Sequence, residues 1–228
     1  MYGNYMLGNV LIIVGFIIMF FAQMKVQSAY NKYSRLVSKS GLTGYETARR
    51  ILDQNGLYDV EIRQIRGQLS DHYDPSKKVV NLSQAVYSGN SIASIAVAAH
   101  EVGHALQHSV GYKALIFRNS ILPLVNVGQT LGMIAIFIGI FTSMFNMALL
   151  GVFLISGMLI FQLVTLPVEF NASNRALSIL SNGMIASDEV DGAKAMLSAA
   201  AFTYVASAIS TLLQILRLFL IFGSNDDR

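Results

Sequence analysis

The chain has 228 residues, of which 54% are apolar and only 13% charged, and its mean hydropathy is +0.52. Soluble domains carry nearer a quarter of their residues as charges, so an ordinary water-soluble class is excluded and a membrane protein is indicated. A net charge of +3 with no basic stripe interleaved with aromatics gives no reason to expect a nucleic-acid partner, and with no cysteine any metal must be held by histidine, carboxylate or water.

The first apolar segment, residues 6–24, is broken only by Asn9 and Gln23 and is long enough to cross about 30 Å of hydrocarbon. Its positive charge follows it, and its exit reads Gln23-Met24-Lys25-Val26 with no small-residue cleavage site, so it reads as a permanent anchor. The polar region of residues 25–120 comes next. Thr43-Gly44-Tyr45-Glu46 has the form of a capping box, and Tyr45, Ala48, Ile51 and Leu52 then give the apolar face of a short helix that ends before Gly56. Val60-Glu61-Ile62-Arg63 and Val79-Val80-Asn81-Leu82 are expected to pair as a hairpin whose long loop runs from Ser70 to Lys78. Such a hairpin either covers the neighbouring helix or holds an extended substrate by strand addition. Asn90 or Ser91 can cap the next helix, which is expected to continue to about Ser109 before Gly111 ends it.

From Ile121 to Val168 there is no charged residue, and the interval is too long for one helix. It reads as two spans, residues 122–142 and 146–166, meeting at Thr142-Ser143-Met144-Phe145-Asn146. In the second polar island, residues 168–198, Ser187 can cap a helix whose first turn carries Asp188, Glu189 and Asp191, leading into a fourth span at residues 199–222. There Ser207, Ser210, Thr211 and Gln214 recur at helical spacing, which suits either a buried amphipathic helix or a polar stripe facing other membrane helices. Arg217 stands near the far end, where a long side chain can snorkel to the interface.

Lys25, Lys32, Arg35 and Lys39 follow the first span and Lys113 and Arg118 precede the second, whereas Met1 to Tyr5 and the turn at residues 142–146 carry no basic residue. The positive-inside rule then puts both polar regions in the cytoplasm. The expected fold is a mainly α membrane protein of about four transmembrane helices, with a small cytoplasmic α+β, zincin-like region. No internal repeat or Pro/Gly-rich linker is visible, so the chain reads as one integrated unit.

Three of the four histidines fall at His100, His104 and His108. In His100-Glu101-Val102-Gly103-His104 the two histidines lie one above the other on a helix face and can offer two imidazole nitrogens to one tetrahedral zinc. Glu101, rotated about a quarter turn, can reach a water beside the metal and act as general base. The nearly apolar run from Ser91 to Ala99 before the motif argues against a chance pattern, since charge placed there is costly unless used.

A catalytic zinc usually takes a third protein ligand and keeps one position open. His108 lies about 12 Å along an unbroken helix from His100, too far for both to reach one ion, and is better read as a supporting or packing residue. Glu169, in Leu166-Pro167-Val168-Glu169-Phe170-Asn171-Ala172-Ser173, stands at the exit of the third span beside apolar surface, where a carboxylate needs a partner. Its rival role is an interfacial carboxylate paired with Arg175 or a lysine.

Together with Asp71-His72-Tyr73-Asp74-Pro75 and the run Val97 to His108, these segments resemble the YugP-type family of bacterial membrane zinc metallopeptidases, in order and over nearly the whole chain. The resemblance implies a neutral zinc endopeptidase of the bacterial plasma membrane, multi-pass, with Zn2+ held by His100, His104 and Glu169 and with Glu101 as base. Its partners would be a peptide or membrane-protein substrate and the lipid bilayer. The layout is also similar to heat-shock membrane proteases related to the prenyl-protein peptidases, in which an aspartate or asparagine commonly follows the glutamate by four residues. Ser173 stands there instead, so no partner for His100 or His104 is assigned.

His72, Tyr73, Tyr112 and Arg175 are the candidates for an additional electrophile at the scissile carbonyl. Two other readings compete with a cytoplasmic peptidase. An intramembrane protease is disfavoured because the apolar run before His100 begins only near Ile92 and Gln107 and His108 follow the motif. A non-enzymatic membrane adaptor, with a structural metal or none, would have no need of Glu101 and Glu169.

Overall fold

The computed structural model describes residues 2–222, with side chains from residue 5. In chain order the elements are α1 (Tyr2–Tyr33), α2 (Gly44–Gln54), β1 (Glu61–Ile65), β2 (His72–Asp74), β3 (Val79–Ser83), α3 (Gln84–Tyr87), α4 (Ile92–Ser109), α5 (Lys113–Phe141), α6 (Phe145–Ile155), α7 (Gly157–Ile179) and α8 (Val190–Phe222). A π turn at Leu180–Met184 and a 3-10 turn at Ser187–Glu189 lie between α7 and α8. The chain is mainly helical, and four helical stretches are long and apolar enough to cross a membrane: Tyr5–Tyr33, Lys113–Phe141, Phe145–Met184 and Ser187–Phe222. Each overlaps one of the expected spans. Contacts divide the chain into two compact units, each assembled from separate stretches.

One unit takes residues up to 23, residues 116–166 and residues from 203. Its outward side chains include Leu124, Phe141 and Phe153, respectively 73%, 85% and 72% exposed, a surface suited to lipid rather than water. Inside, Ile136, Ala148, Val152 and Ile215 form an apolar cluster. Without a hydrophobic drive between helices in lipid, close packing at small residues holds such a bundle. A Cβ added to Gly151 would stand 2.5 Å from the carbonyl oxygen of Gly132, and one added to Gly139 would stand 2.5 Å from the amide nitrogen of Ala148. Ser207 and Ser210 face other helices of this unit: Gln162 Nε2 donates to Ser207 Oγ at 2.9 Å, and a Cβ on Gly15 would meet Ser210 Oγ at 2.9 Å. The chain reverses between α5 and α6 at Thr142 to Met144, with Ser143 at φ +58°, where the sequence places the turn.

The other unit takes residues 24–115 and 167–202 and is built around α4. Ala93, Ala96, Ala98, Ala99 and Val102 of that helix are fully buried, packed among Ile51 and Leu52 of α2, Val80 and Leu82 of β3, Ala176 of α7 with Leu180 of the π turn that follows it, and Met196 of α8. Small residues on α4 let four neighbouring elements approach it, which is why it reads as an alanine-rich run. The capping box forms as expected, with Thr43 Oγ1 accepting from Glu46 N and Glu46 Oε2 accepting from Thr43 N. Gly56 then takes φ +73°, a left-handed conformation that a side chain disfavours.

The strand pairing differs from the expected hairpin. The sheet order is β1-β3-β2, with β1 parallel to β3 and β2 antiparallel to it, so that Ile62 and Tyr73 both stand opposite Val80. The segment expected as loop holds β2, because the reversal is much tighter than the polar run suggests. Asp74 Oδ1 accepts from Ser76 N, Ser76 Oγ and Lys77 N, and Lys78 takes φ +52°. Asp71 ties the other end, accepting from Ser83 N at 2.6 Å and from Ser83 Oγ at 3.1 Å. β3, buried on both faces, is the central strand, and β1, with exposed Glu61 and Arg63, takes the edge that remains.

The entry to α8 also differs. Ser187 lies inside the 3-10 turn rather than capping it, and Glu189 reaches back to accept from Ala186 N at 3.1 Å. Glu189 also accepts from Lys39 N at 2.7 Å and Ser38 Oγ at 3.0 Å, which satisfies a buried carboxylate and pins the segment after α1 to the start of α8.

Candidate metal centre

Ser91 caps α4, its Oγ accepting from Ser94 N at 3.1 Å, and Gly111 at φ +62° lies just past its end. Between them His100 and His104 project from one face, their rings edge to face with centroids 4.8 Å apart. From α7 Glu169 enters the same space, with Oε2 3.3 Å from His100 Nε2 and 3.6 Å from His104 Nε2. The three donor atoms all lie within 4.8 Å of one another. Donors bound at 2.0–2.1 Å to a tetrahedral zinc stand about 3.3 Å apart, which the two separations at Glu169 approach. Glu169 is 2% exposed, and its Oε2 has no hydrogen-bond partner among the described residues. A buried carboxylate oxygen in that state is costly unless a cation takes it. Among the described residues the ion-pair contacts of Glu169 are His100 and His104, not Arg175 or a lysine.

Each ring is oriented through its other nitrogen. His100 Nδ1 lies 3.2 Å from Ser173 Oγ, within hydrogen-bond reach, so the serine at the unassigned position does serve a motif histidine. His104 Nδ1 donates to Gln107 Oε1 at 3.0 Å, and Gln107 Nε2 donates to the carbonyl of Val168 at 2.8 Å and to Asn171 Oδ1 at 3.0 Å. Arg175 Nε donates to that same Asn171 oxygen at 2.8 Å. Gln107 was not among the residues singled out from the sequence. The sequence carries only its spacing, three residues after His104 on an adjoining part of the helix face; that it is a wholly buried amide with distant partners shows only in the fold.

Glu101 is 8% exposed. Burial pushes its carboxyl above the ordinary range, and the neighbouring His100 and His104 pull the other way without reversing the shift. Burial works against charge on His104, but the Glu169 and Glu101 carboxylates outweigh it and raise the ring above the ordinary imidazole value.

His108 is not part of the trio. Its Nδ1 lies 2.8 Å from Tyr73 Oη, and both residues line a cavity of about 270 Å³ with Leu57, Val60 and Ala105. The Tyr73 hydroxyl is pushed up to about 12, mainly by burial and further by Asp59 and Asp74, which keeps it protonated. His72 is exposed on β2, with Nδ1 donating to Ser70 O and Nε2 accepting from Asn81. Tyr112 is half-buried just past α4, its backbone N–H donating to Gln107 O at 2.9 Å.

A family model described as "Putative neutral zinc metallopeptidase" matches residues 9–223. A protein of Bacillus subtilis (strain 168) named "Putative membrane protease YugP" is 51% identical over 209 residues, covering 91% of this chain and 93% of its own length. No solved structure matches. Four apolar helices and this likeness mark a multi-pass membrane protein. A match across nearly the whole chain, with a histidine, histidine and glutamate trio able to hold a metal at its centre, places the chain in the neutral zinc metallopeptidase family.

Proposed function

We propose that the chain is a zinc-dependent endopeptidase of the bacterial plasma membrane, acting at the cytoplasmic face close to the lipid boundary, with His100, His104 and Glu169 as ligands. The observation that carries the reading is the Glu169 carboxylate, buried between two imidazole Nε2 atoms with one oxygen unpartnered. Bound there, zinc would supply a Lewis acid for a water and for the scissile carbonyl. Glu101, one residue from a ligand and with its carboxyl pushed above the ordinary range by burial, takes the proton from the attacking water and returns it to the leaving amine. His104 presents Nε2 because Gln107 Oε1 accepts from its Nδ1, and a free Nε2 on His100 puts its Nδ1 proton toward Ser173 Oγ. His100, His104 and Glu169 would hold the ion through three protein donors, the gluzincin set, and such an ion would have room for a water or substrate oxygen as well. β2, at the edge of the sheet, offers an extended peptide or membrane-protein segment a place to add as a strand. The cytoplasmic orientation rests on Lys25, Lys32, Arg35, Lys39, Lys113 and Arg118.

The test is peptide hydrolysis by the detergent-purified chain, with reversal by chelator and restoration by zinc. Glu101→Gln should keep zinc and lose hydrolysis by about 10²-fold or more. Full activity in that variant, or activity indifferent to chelator, overturns the reading.

A further inference from the structure

His104 has a choice that the metal does not allow it: a neutral imidazole carries its proton on Nδ1 or on Nε2, and only the first form leaves Nε2 free as a ligand. Gln107 settles this choice only if its carboxamide has one orientation. The Val168 carbonyl can only accept, so it claims the amide nitrogen and turns Oε1 toward His104. Asn171 reinforces that orientation as long as its own oxygen, and not its nitrogen, faces Gln107. An isolated Asn could turn either way. Arg175 removes the freedom, because a guanidinium has only donors and stays charged, and its Nε is bonded to Asn171 Oδ1 one helical turn away.

We propose that Arg175, Asn171 and Gln107 are positioning residues that together hold His104 in the tautomer with Nε2 free for metal, the polarity being set by the Val168 carbonyl at Gln107 and by Arg175 at Asn171. The inference rests on the zinc reading above and deepens it. It couples the two helices of the site by polarity as well as by packing, since Gln107 and His104 are on α4 while Val168, Asn171 and Arg175 are on α7. Every donor in the relay meets an acceptor: Arg175 to Asn171, Gln107 to Asn171 and Val168, His104 to Gln107. Reversing any amide would set donor against donor or acceptor against acceptor, which in a buried site is costly.

The experiment measures the zinc dissociation constant of the full detergent-solubilised chain by competition with a chromophoric chelator, for wild type and four variants. Asn171→Leu, which removes the shared acceptor, should weaken zinc by about 10- to 100-fold, and Arg175→Met by about tenfold. Asn171→Asp should stay within about threefold of wild type, because both carboxylate oxygens can only accept. The deciding variant combines Arg175→Met with Asn171→Asp. An aspartate cannot present a donor to Gln107, so affinity should return to within about threefold of wild type although the guanidinium is gone. A guanidinium needed only for packing would not be rescued in this way. Wild-type affinity in Asn171→Leu, or a double variant no tighter than Arg175→Met, overturns the inference. The unfolding midpoint in excess chelator checks that each metal-free chain is folded, and the two Asn171→Asp variants keep the test decisive if Asn171→Leu is not. Zinc held by wild type but indifferent to all four changes defeats the inference alone; no zinc in wild type defeats the zinc reading as well.

Discussion

Gly103 and Ala172 bring the two ligand-bearing helices into backbone contact: a Cβ on Gly103 would stand 2.8 Å from the carbonyl oxygen of Ala172 and 3.3 Å from its carbonyl carbon. The neighbour is backbone, so it cannot swing aside. Gly103 lies inside the motif and Ala172 three residues past Glu169, so whatever separates them also draws the carboxylate away from the imidazoles. Gly103→Ala is expected to cost about 1–3 kcal/mol of stability by overpacking. Zinc affinity should fall with it, because the 3.3 and 3.6 Å separations at Glu169 depend on that approach. Thermal unfolding and zinc competition on the same preparation check both, and unchanged zinc affinity would mean that α7 does not carry Glu169 as rigidly as this contact requires.

The trio and His108 should separate cleanly in metal content. Glu169→Ala leaves two imidazoles and no third donor, and is expected to weaken zinc by more than about 100-fold. His108→Ala removes a hydrogen bond to the Tyr73 hydroxyl and nothing from the trio, so zinc should be retained. Metal analysis of the two purified variants beside wild type is the measurement. Zinc lost with His108 and kept without Glu169 would reverse the ligand assignment.

That His100, His104 and Glu169 come together was legible in the sequence for a local reason and a chemical one. A four-residue spacing on a helix fixes two side chains on one face, and a lone carboxylate at the end of a charge-free interval needs a partner. The caps at Thr43 and Ser91 and the turn at Thr142 to Met144 were legible because the hydrogen bonds that make them are local. β2 was not. His72, Tyr73 and Asp74 have the composition of a turn, and what makes them a strand is the distant β3 edge and the Asp71 bonds to Ser83. Gln107 was hidden for the same reason: its acceptors Val168 and Asn171 arrive from a helix far along the chain.

The shifted groups of the site predict how the metal-free protein responds to pH. His104 is raised above 6.5 and Glu101 above 4.5, so each keeps a proton in the folded state that the unfolded chain has released. Where the folded state binds more protons, stability falls as pH rises. The contribution is complete below the ordinary values and is lost as pH climbs through the raised ones. In excess chelator the unfolding midpoint should therefore fall as pH rises through the window above 6.5, with the part due to Glu101 setting in above 4.5. Zinc affinity should rise across the same window, because His104 is a ligand only when neutral. A metal-free midpoint that climbs with pH would contradict the surroundings assigned to His104 and Glu101.

Gly151 and Gly157 provide a matched pair for the membrane helices, since both are glycines in apolar surroundings and differ in what a methyl group would meet. At Gly151 a Cβ falls 2.5 Å from the Gly132 carbonyl oxygen and 2.7 Å from Ile136 Cγ1, while at Gly157 the nearest atom, Val125 Cγ2, is 4.0 Å away. In lipid the helices are held by this close fit rather than by expulsion of water, so pushing α5 from α6 forfeits most of what joins them. Gly151→Ala is expected to lose about 1–3 kcal/mol in mixed-micelle unfolding. Gly157→Ala should be neutral or gain up to about 1 kcal/mol from the better helix propensity of alanine. Equal effects at the two positions would show that helix propensity, and not the Gly132–Gly151 approach, decides the stability of this unit.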